Sequence, residues 1–395
     1  MPTPLPRTWL VFLAASTLSQ LGDSVLWFAL GWAAASHGGQ VAALVLTASG
    51  LPRLILVLVG GSVADRVGAR RLLLCTEAVM VAVCLALAFG LDAAGPAPWL
   101  LATAGLASGV VSAFSLPALG SMPRRLVDDA ALPRAMALRQ GLGQAVLLAG
   151  APLGGILVAT VGLPALAVAD AVCFAAVLVA VAALRPRREV VAGTERFWRS
   201  LSDGARVVAR TRGLAGALVL TGTVAAVVLP VSALLVPLLG RESGWNAGTT
   251  GLVVAAQAAG SIGVALVVAR TGTAGATWRA VALGLAVTAT GVALVAASGE
   301  GAPALTAGAA AVVGVGTGVA VAHLAPFVLG SAPRTHLARV QAWTALAQLA
   351  PVVVSNNLLG ALAERASPGT ALCCCAVTLG VCALAATRLR AATPS

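Results

Sequence analysis

The chain has 395 residues, 59% of them hydrophobic and only 10% charged, whereas a soluble domain carries about a quarter charged residues. Its net charge of +12 rests on arginine alone, because lysine is absent, and that excludes P-loop nucleotide hydrolysis and every lysine Schiff-base chemistry. Neither His-Glu-x-x-His nor Gly-x-Ser-x-Gly occurs, and the seven cysteines lie in apolar segments without a Cys-x-x-Cys pair, so an enzyme, a metal, a cofactor and a disulfide framework are not expected.

Apolar runs of membrane length predict twelve spans, near residues 8–34, 42–64, 72–92, 97–123, 136–160, 162–184, 213–240, 246–269, 278–297, 302–330, 338–363 and 369–388. Span 1 has Arg7 before it and Asp23 in its middle, and is too long for the apolar core of a signal peptide, so it reads as a retained helix. Ser16, Gln20, Asp23 and Trp27 share one face of it through three- and four-residue spacing. Arg53 sits near the middle of span 2, and a helical hairpin brings it to the depth of Asp23, within reach of a salt bridge. Each such charge costs roughly 2.5–3.5 kcal/mol at the membrane centre, so the pair needs a reason. Two readings stand side by side: Asp23 is a proton or cation site tuned by Arg53, or the pair neutralises itself and sets helix register.

Residues 60–71 form a polar hinge between spans 2 and 3, with Asp65, Arg66, Arg70 and Arg71 crowded into seven positions. Glu77, little more than a turn inside span 3, is expected to meet Arg70 or Arg71. In span 5, Gly150, Gly154 and Gly155 would permit close packing against the other half of the molecule. Asp170 in span 6 has no evident partner; it reads first as a carboxyl hidden against a neighbouring backbone and second as a proton site. His323 in span 10 is either simply hydrogen-bonded or a proton relay, because imidazole can both donate and accept. On span 11, Gln341, Thr344 and Gln348 make a polar stripe suited to interhelical hydrogen bonds or to substrate.

Residues 185–212 divide the chain into segments 1–184 and 213–395 of six spans each. The linker holds eight arginines, and Phe197, Leu201 and Val208 oppose Arg199, Arg206 and Arg210 at helical spacing, as in an amphipathic helix on a membrane surface. The halves echo one another: the approach to span 5 at 132–138 and to span 11 at 337–343 lie 205 residues apart. With the N-terminus inside, 22 of the 25 arginines fall in cytoplasmic segments, which orients the chain with both termini and the linker in the cytoplasm. The net charge then belongs to the lipid bilayer and requires no nucleic acid.

The order Gly-x-x-x-Asp-Arg-x-Gly-x-Arg-Arg at 61–71 resembles the signature loop between the second and third helices of the major facilitator superfamily. The resemblance implies an all-α fold of twelve transmembrane helices in two pseudo-symmetric six-helix bundles, with helix 1 lining a central cavity. It also implies a conformational role for Gly61, Asp65, Arg66, Gly68, Arg70 and Arg71, with Asp65 facing the start of the third helix. Leu21-Gly22-Asp23-Ser24, Leu51-Pro52-Arg53 and the linker stretch from Phe197 to Arg210 look like the branch containing the enterobactin exporter and macrolide efflux pumps. Two departures from drug antiporters are visible. Gly150-Ala151-Pro152-Leu153-Gly154-Gly155 displaces the usual proline by one residue, and span 4 lacks a buried arginine. The resemblance implies a monomeric inner-membrane carrier that exports a small amphiphilic molecule by alternating access, in exchange for protons. An uptake or lipid carrier on the same fold, or a non-transporting sensor, is the alternative.

Overall fold

The computed structural model describes residues 5–128, 130–184, 205–211, 213–272, 277–298, 302–331 and 337–392. Twelve helices in it are long and apolar enough to cross a membrane. In the first half these are α1 (Arg7–Ala35), α2 (Gly39–Val67), α3 (Ala69–Ala94), α4 (Pro98–Leu126), α5 (Leu132–Thr160) and α6 (Gly162–Ala183). In the second they are α7 (Leu214–Glu242), α8 (Ala247–Thr271), α9 (Thr277–Ser298), α10 (Pro303–Ser331), α11 (Leu337–Arg365) and α12 (Pro368–Ala392). In hydrocarbon every backbone N–H and C=O must find its partner internally, and a continuous helix achieves this within one segment.

The hinge expected between spans 2 and 3 is shorter than its charges suggested. α2 stays helical through Asp65 and Arg66 to Val67, and α3 begins at Ala69. Gly68 alone makes the break, at φ 90° and ψ 131°, a conformation that a side chain would strain. α7 contains an irregularity that its composition did not announce. After Pro230, residues Val231–Leu235 widen into a π-turn before the α-helix resumes at Val236. Proline supplies no N–H to the ladder, and a π-turn is one way for a helix to continue past it.

Two compact units are present: Met1–His37 with Leu44–Gly193, and Gly38–Ala43 with Thr194–Ser395. In the first, α1 packs on α5 and α6, and α3 on α4 and α6. Trp9, Phe12, Leu73, Met122 and Val177 form a core in which the rings of Trp9 and Phe12 stand 5.9 Å apart. In the second unit, α10 packs on α8 and α9, α9 on α12, and α7 on α11. Small residues bring these helices together. Gly314 lies against the Gln257 carbonyl of α8, while Gly284 and Gly316 face one another between α9 and α10. Large apolar side chains such as Phe89, Val219 and Leu384 point outward, as lipid allows and water would not.

The glycines of span 5 serve a nearer partner than expected. A Cβ on Gly150 would overlap the Ser24 side chain, and one on Gly154 would come 2.8 Å from the Val25 carbonyl and 3.0 Å from Phe28 Cβ. Both therefore seat α5 on α1 inside the first unit, with Gly155 buried beside them. Of the linker, Ala205–Arg210 is helical; Phe197, Arg199 and Leu201 lie outside the described residues.

Candidate functional site

A cavity of about 230 Å³ opens inside the first unit. The face of α1 foreseen from spacing lines it, with Ser16, Gln20, Asp23 and Trp27 all present and Ser19 beside them. α2 contributes Ser49 and Arg53, α3 Glu77 and Met80, α4 Ser112 and Ser115, and α6 Phe174. Asp23 and Arg53 thus share a chamber near enough for their charges to interact. Among the described residues no direct ion pair closes between them, in contrast to the salt bridge expected from the hairpin.

Glu77 departs from expectation. It does not reach back to the basic turn; it lies 4% exposed at the cavity wall, and its Oε2 has no hydrogen-bond partner. Arg70 is engaged elsewhere. Its Nε donates to the carbonyls of Val181 at 3.2 Å and Leu184 at 2.8 Å, and its Nη2 to Ala182 at 2.7 Å. These carbonyls belong to the C-terminal turn of α6, where orphan acceptors and the negative end of the helix dipole attract a guanidinium. Glu77 stands seven residues along from Arg70, about 10 Å of helix rise, which explains why the two miss each other. Arg71 is exposed, and the side chains of Asp65 and Arg66 lie outside the described residues.

Asp170 is 1% exposed and finds the partner that its sequence context concealed. The Cys84 thiol of α3 donates to Oδ2 at 3.7 Å, while Oδ1 has no partner and faces α1. A Cβ on Gly22 would come 2.5 Å from that oxygen and 3.2 Å from Cys173 Sγ, so Asp170 occupies space that only a glycine on α1 leaves free.

The second unit has a cavity of about 360 Å³, and among the described residues no ionisable group lines its wall. Val224 and Val228 of α7 and Val321, Leu324 and Val328 of α10 make it apolar. The foreseen stripe of Gln341, Thr344 and Gln348 on α11 faces it, joined by Thr221 and Thr317. The three threonine hydroxyls donate backward along their own helices, to Ala217 at 2.7 Å, Val313 at 2.8 Å and Val340 at 2.9 Å. Their oxygens keep lone pairs for a ligand donor, and the two glutamine amides offer both donors and acceptors. His323 stays out of this wall. It is buried, with Nδ1 2.9 Å from the Val319 carbonyl and Nε2 unpartnered. Among the described residues no group of His, Cys, Asp and Glu could hold a metal ion.

Reading by sequence passed over Glu77 as a cavity residue and Thr221 and Thr317 altogether. Glu77 lies eight residues beyond the start of α3 at Ala69, about 12 Å of helix rise, roughly two turns past the basic residues Arg70 and Arg71.

Residues 12–355 match the family model described as Major Facilitator Superfamily. The chain belongs to that superfamily. It is therefore a transporter rather than an enzyme, and a multi-pass membrane protein. No relative is found among curated protein sequences. Among solved structures the chain is similar to the nucleoside transporter NupG, at TM-score 0.75 and 12% identity over 97% of this chain and 99% of that one. An auto-inhibited POT family peptide transporter gives TM-score 0.76 and 13% identity over 99% and 98% of the two chains. A bacterial homologue of the iron transporter ferroportin in an inward-facing state gives 0.73 and 15% over 98% and 100%. At such identities the likeness speaks for the fold alone.

Proposed function

We propose that this transporter exports a small amphiphilic molecule, such as a drug, siderophore or other secondary metabolite, in exchange for protons. The single observation that carries the reading is the cavity of the second unit, whose wall among the described residues is apolar with a few neutral polar groups. Its apolar wall and its few amides and hydroxyls suit a molecule with a large apolar body and a few polar groups. The sequence likeness to the branch of the enterobactin exporter and macrolide efflux pumps supports the outward direction. Asp23 is the proton-carrying group in this reading and Arg53 tunes it, since both line one chamber inside the membrane-spanning part of the chain. The organisation proposed is a six-helix bundle at 1–184, a cytoplasmic linker at 185–212 and a second bundle at 213–395, acting as a monomer in a prokaryotic inner membrane.

The orientation rests on 22 of 25 arginines falling on one side. A cysteine placed at position 190 in a cysteine-free background should resist an impermeant reagent in intact cells; strong labelling there would invert the topology. Function is tested by growth of a pump-deficient host across a panel of toxic compounds, followed by uptake into everted vesicles. Resistance to amphiphiles with proton-driven uptake into those vesicles is the expected result. Sensitisation, or accumulation by intact cells, would instead make the chain an uptake carrier.

A further inference from the structure

The first unit's cavity contains two carboxyls, Asp23 and Glu77, and one guanidinium, Arg53. Arg53 interacts electrostatically with Asp23 and can balance only one negative charge. Glu77 is the one left over, almost wholly buried at the wall, with Oε2 unbonded. Buried polar groups are rarely left in that condition: such a carboxyl either takes up a proton or pairs with a donor from outside the protein, and the chamber leaves room for the second.

The rest of the wall describes that donor. Ser16 donates its hydroxyl to the Leu13 carbonyl at 3.1 Å and Ser112 to Ser108 at 2.6 Å, so both turn acceptor oxygens toward a ligand. Trp27 and Phe174 supply aromatic surface, which attracts a cation to the ring face. The chamber's 230 Å³ equals the share of about seven or eight waters in the liquid, more than a proton or a bare metal ion requires. We propose that this cavity binds a small organic ammonium, with Glu77 as its anionic acceptor and the serine oxygens and aromatic rings as its surround.

This deepens the exporter reading, on which it rests, by naming a basic amine as the ligand class; a proton and the amine then compete for one carboxyl pair. The titratable groups that interact with Glu77 are Asp23 from α1 and Asp170 from α6, and Arg53 from α2 lines the same cavity. α4 presents serines and apolar side chains to the cavity, and α5 lines none of it.

The test is calorimetric titration of the purified full chain in nanodiscs with phenethylammonium, and with 2-phenylethanol as its uncharged counterpart. The amine should bind at least about tenfold tighter than the alcohol and lose affinity as the pH falls, because protons occupy its acceptor. Glu77→Gln should weaken the amine about 10- to 100-fold, the worth of a charge-assisted hydrogen bond, and leave the alcohol unaffected. Equal binding of amine and alcohol, unchanged amine affinity in Glu77→Gln, or displacement of the amine by equimolar sodium would overturn the assignment. Should Glu77→Gln not fold, the pH series and the alcohol comparison on wild type decide, together with Glu77→Asp, which should bind the amine more weakly while keeping its preference over the alcohol. Amine binding without substrate-driven proton movement in proteoliposomes would refute the exporter reading and leave this one standing. Proton-coupled export with identical amine binding in wild type and Glu77→Gln would refute this one alone.

Discussion

The two internal cavities are cut from the same material, long helices of alanine, valine, leucine and glycine, yet they differ in kind. That of the first unit gathers Asp23, Glu77 and Arg53 around serines, whereas that of the second, among the described residues, is lined by no ionisable side chain and relies on threonine and glutamine. A charge inside a membrane is expensive, so a chain with few of them reveals its purpose by where it places them. Here they are concentrated on one chamber, with Asp170 behind it. The contrast fits the proposed division of labour, with protons and cations assigned to the chamber that holds carboxyls and a guanidinium, and neutral recognition by shape, apolar area and hydrogen bonds to the other.

The strongest way to break this division is to remove Asp23, the carboxyl proposed to carry the proton. Asp23→Asn should abolish uphill efflux while downhill movement or exchange of substrate partly survives, because the conformational change itself needs no titration. Substrate-induced proton movement in proteoliposomes decides the matter. Equal signals from wild type and variant would move coupling to Asp170 or His323.

A second prediction concerns how the charged chamber is walled. Gly22→Ala drives a methyl group against Asp170 Oδ1 and Cys173 Sγ, and overpacking of this kind costs about 1–3 kcal/mol. The thermal midpoint in detergent should fall. Gly263→Ala on α8, where a Cβ meets nothing within 4 Å, should stay within about 0.5 kcal/mol of wild type. Equal effects at the two glycines would mean that Asp170 does not need the space α1 leaves it.

The smallest effects are expected in the uncharged chamber, where no single group dominates. Gln348→Leu or Thr344→Val should weaken an amphiphilic substrate by about 2- to 10-fold, the worth of one neutral hydrogen bond. The maximal rate of proton-coupled transport should not change. A loss of coupling in either variant would erase the distinction between the chambers.

Much of this arrangement is written locally. Apolar runs of about twenty residues, the position of glycine and proline, and the three- and four-residue spacing of Ser16, Gln20, Asp23 and Trp27 depend only on helix geometry and on the cost of polar groups in lipid. The twelve spans, the cavity face of α1 and the polar stripe of α11 were therefore legible in the chain alone. Partnership was not, because it depends on which helix lies across from which. Glu77 and Arg70 share a helix and a sign difference, but packing of α3 on α6 gives the arginine to the carbonyls of Val181, Ala182 and Leu184 and leaves the glutamate to the cavity. The same packing supplies Cys84 to Asp170, and packing of α1 on α5 claims the glycines of span 5. Sequence settles which segments enter the membrane, since that is a sum over one segment's own residues. Tertiary structure alone settles which buried charges meet, since that is decided by distances between segments far apart in the chain.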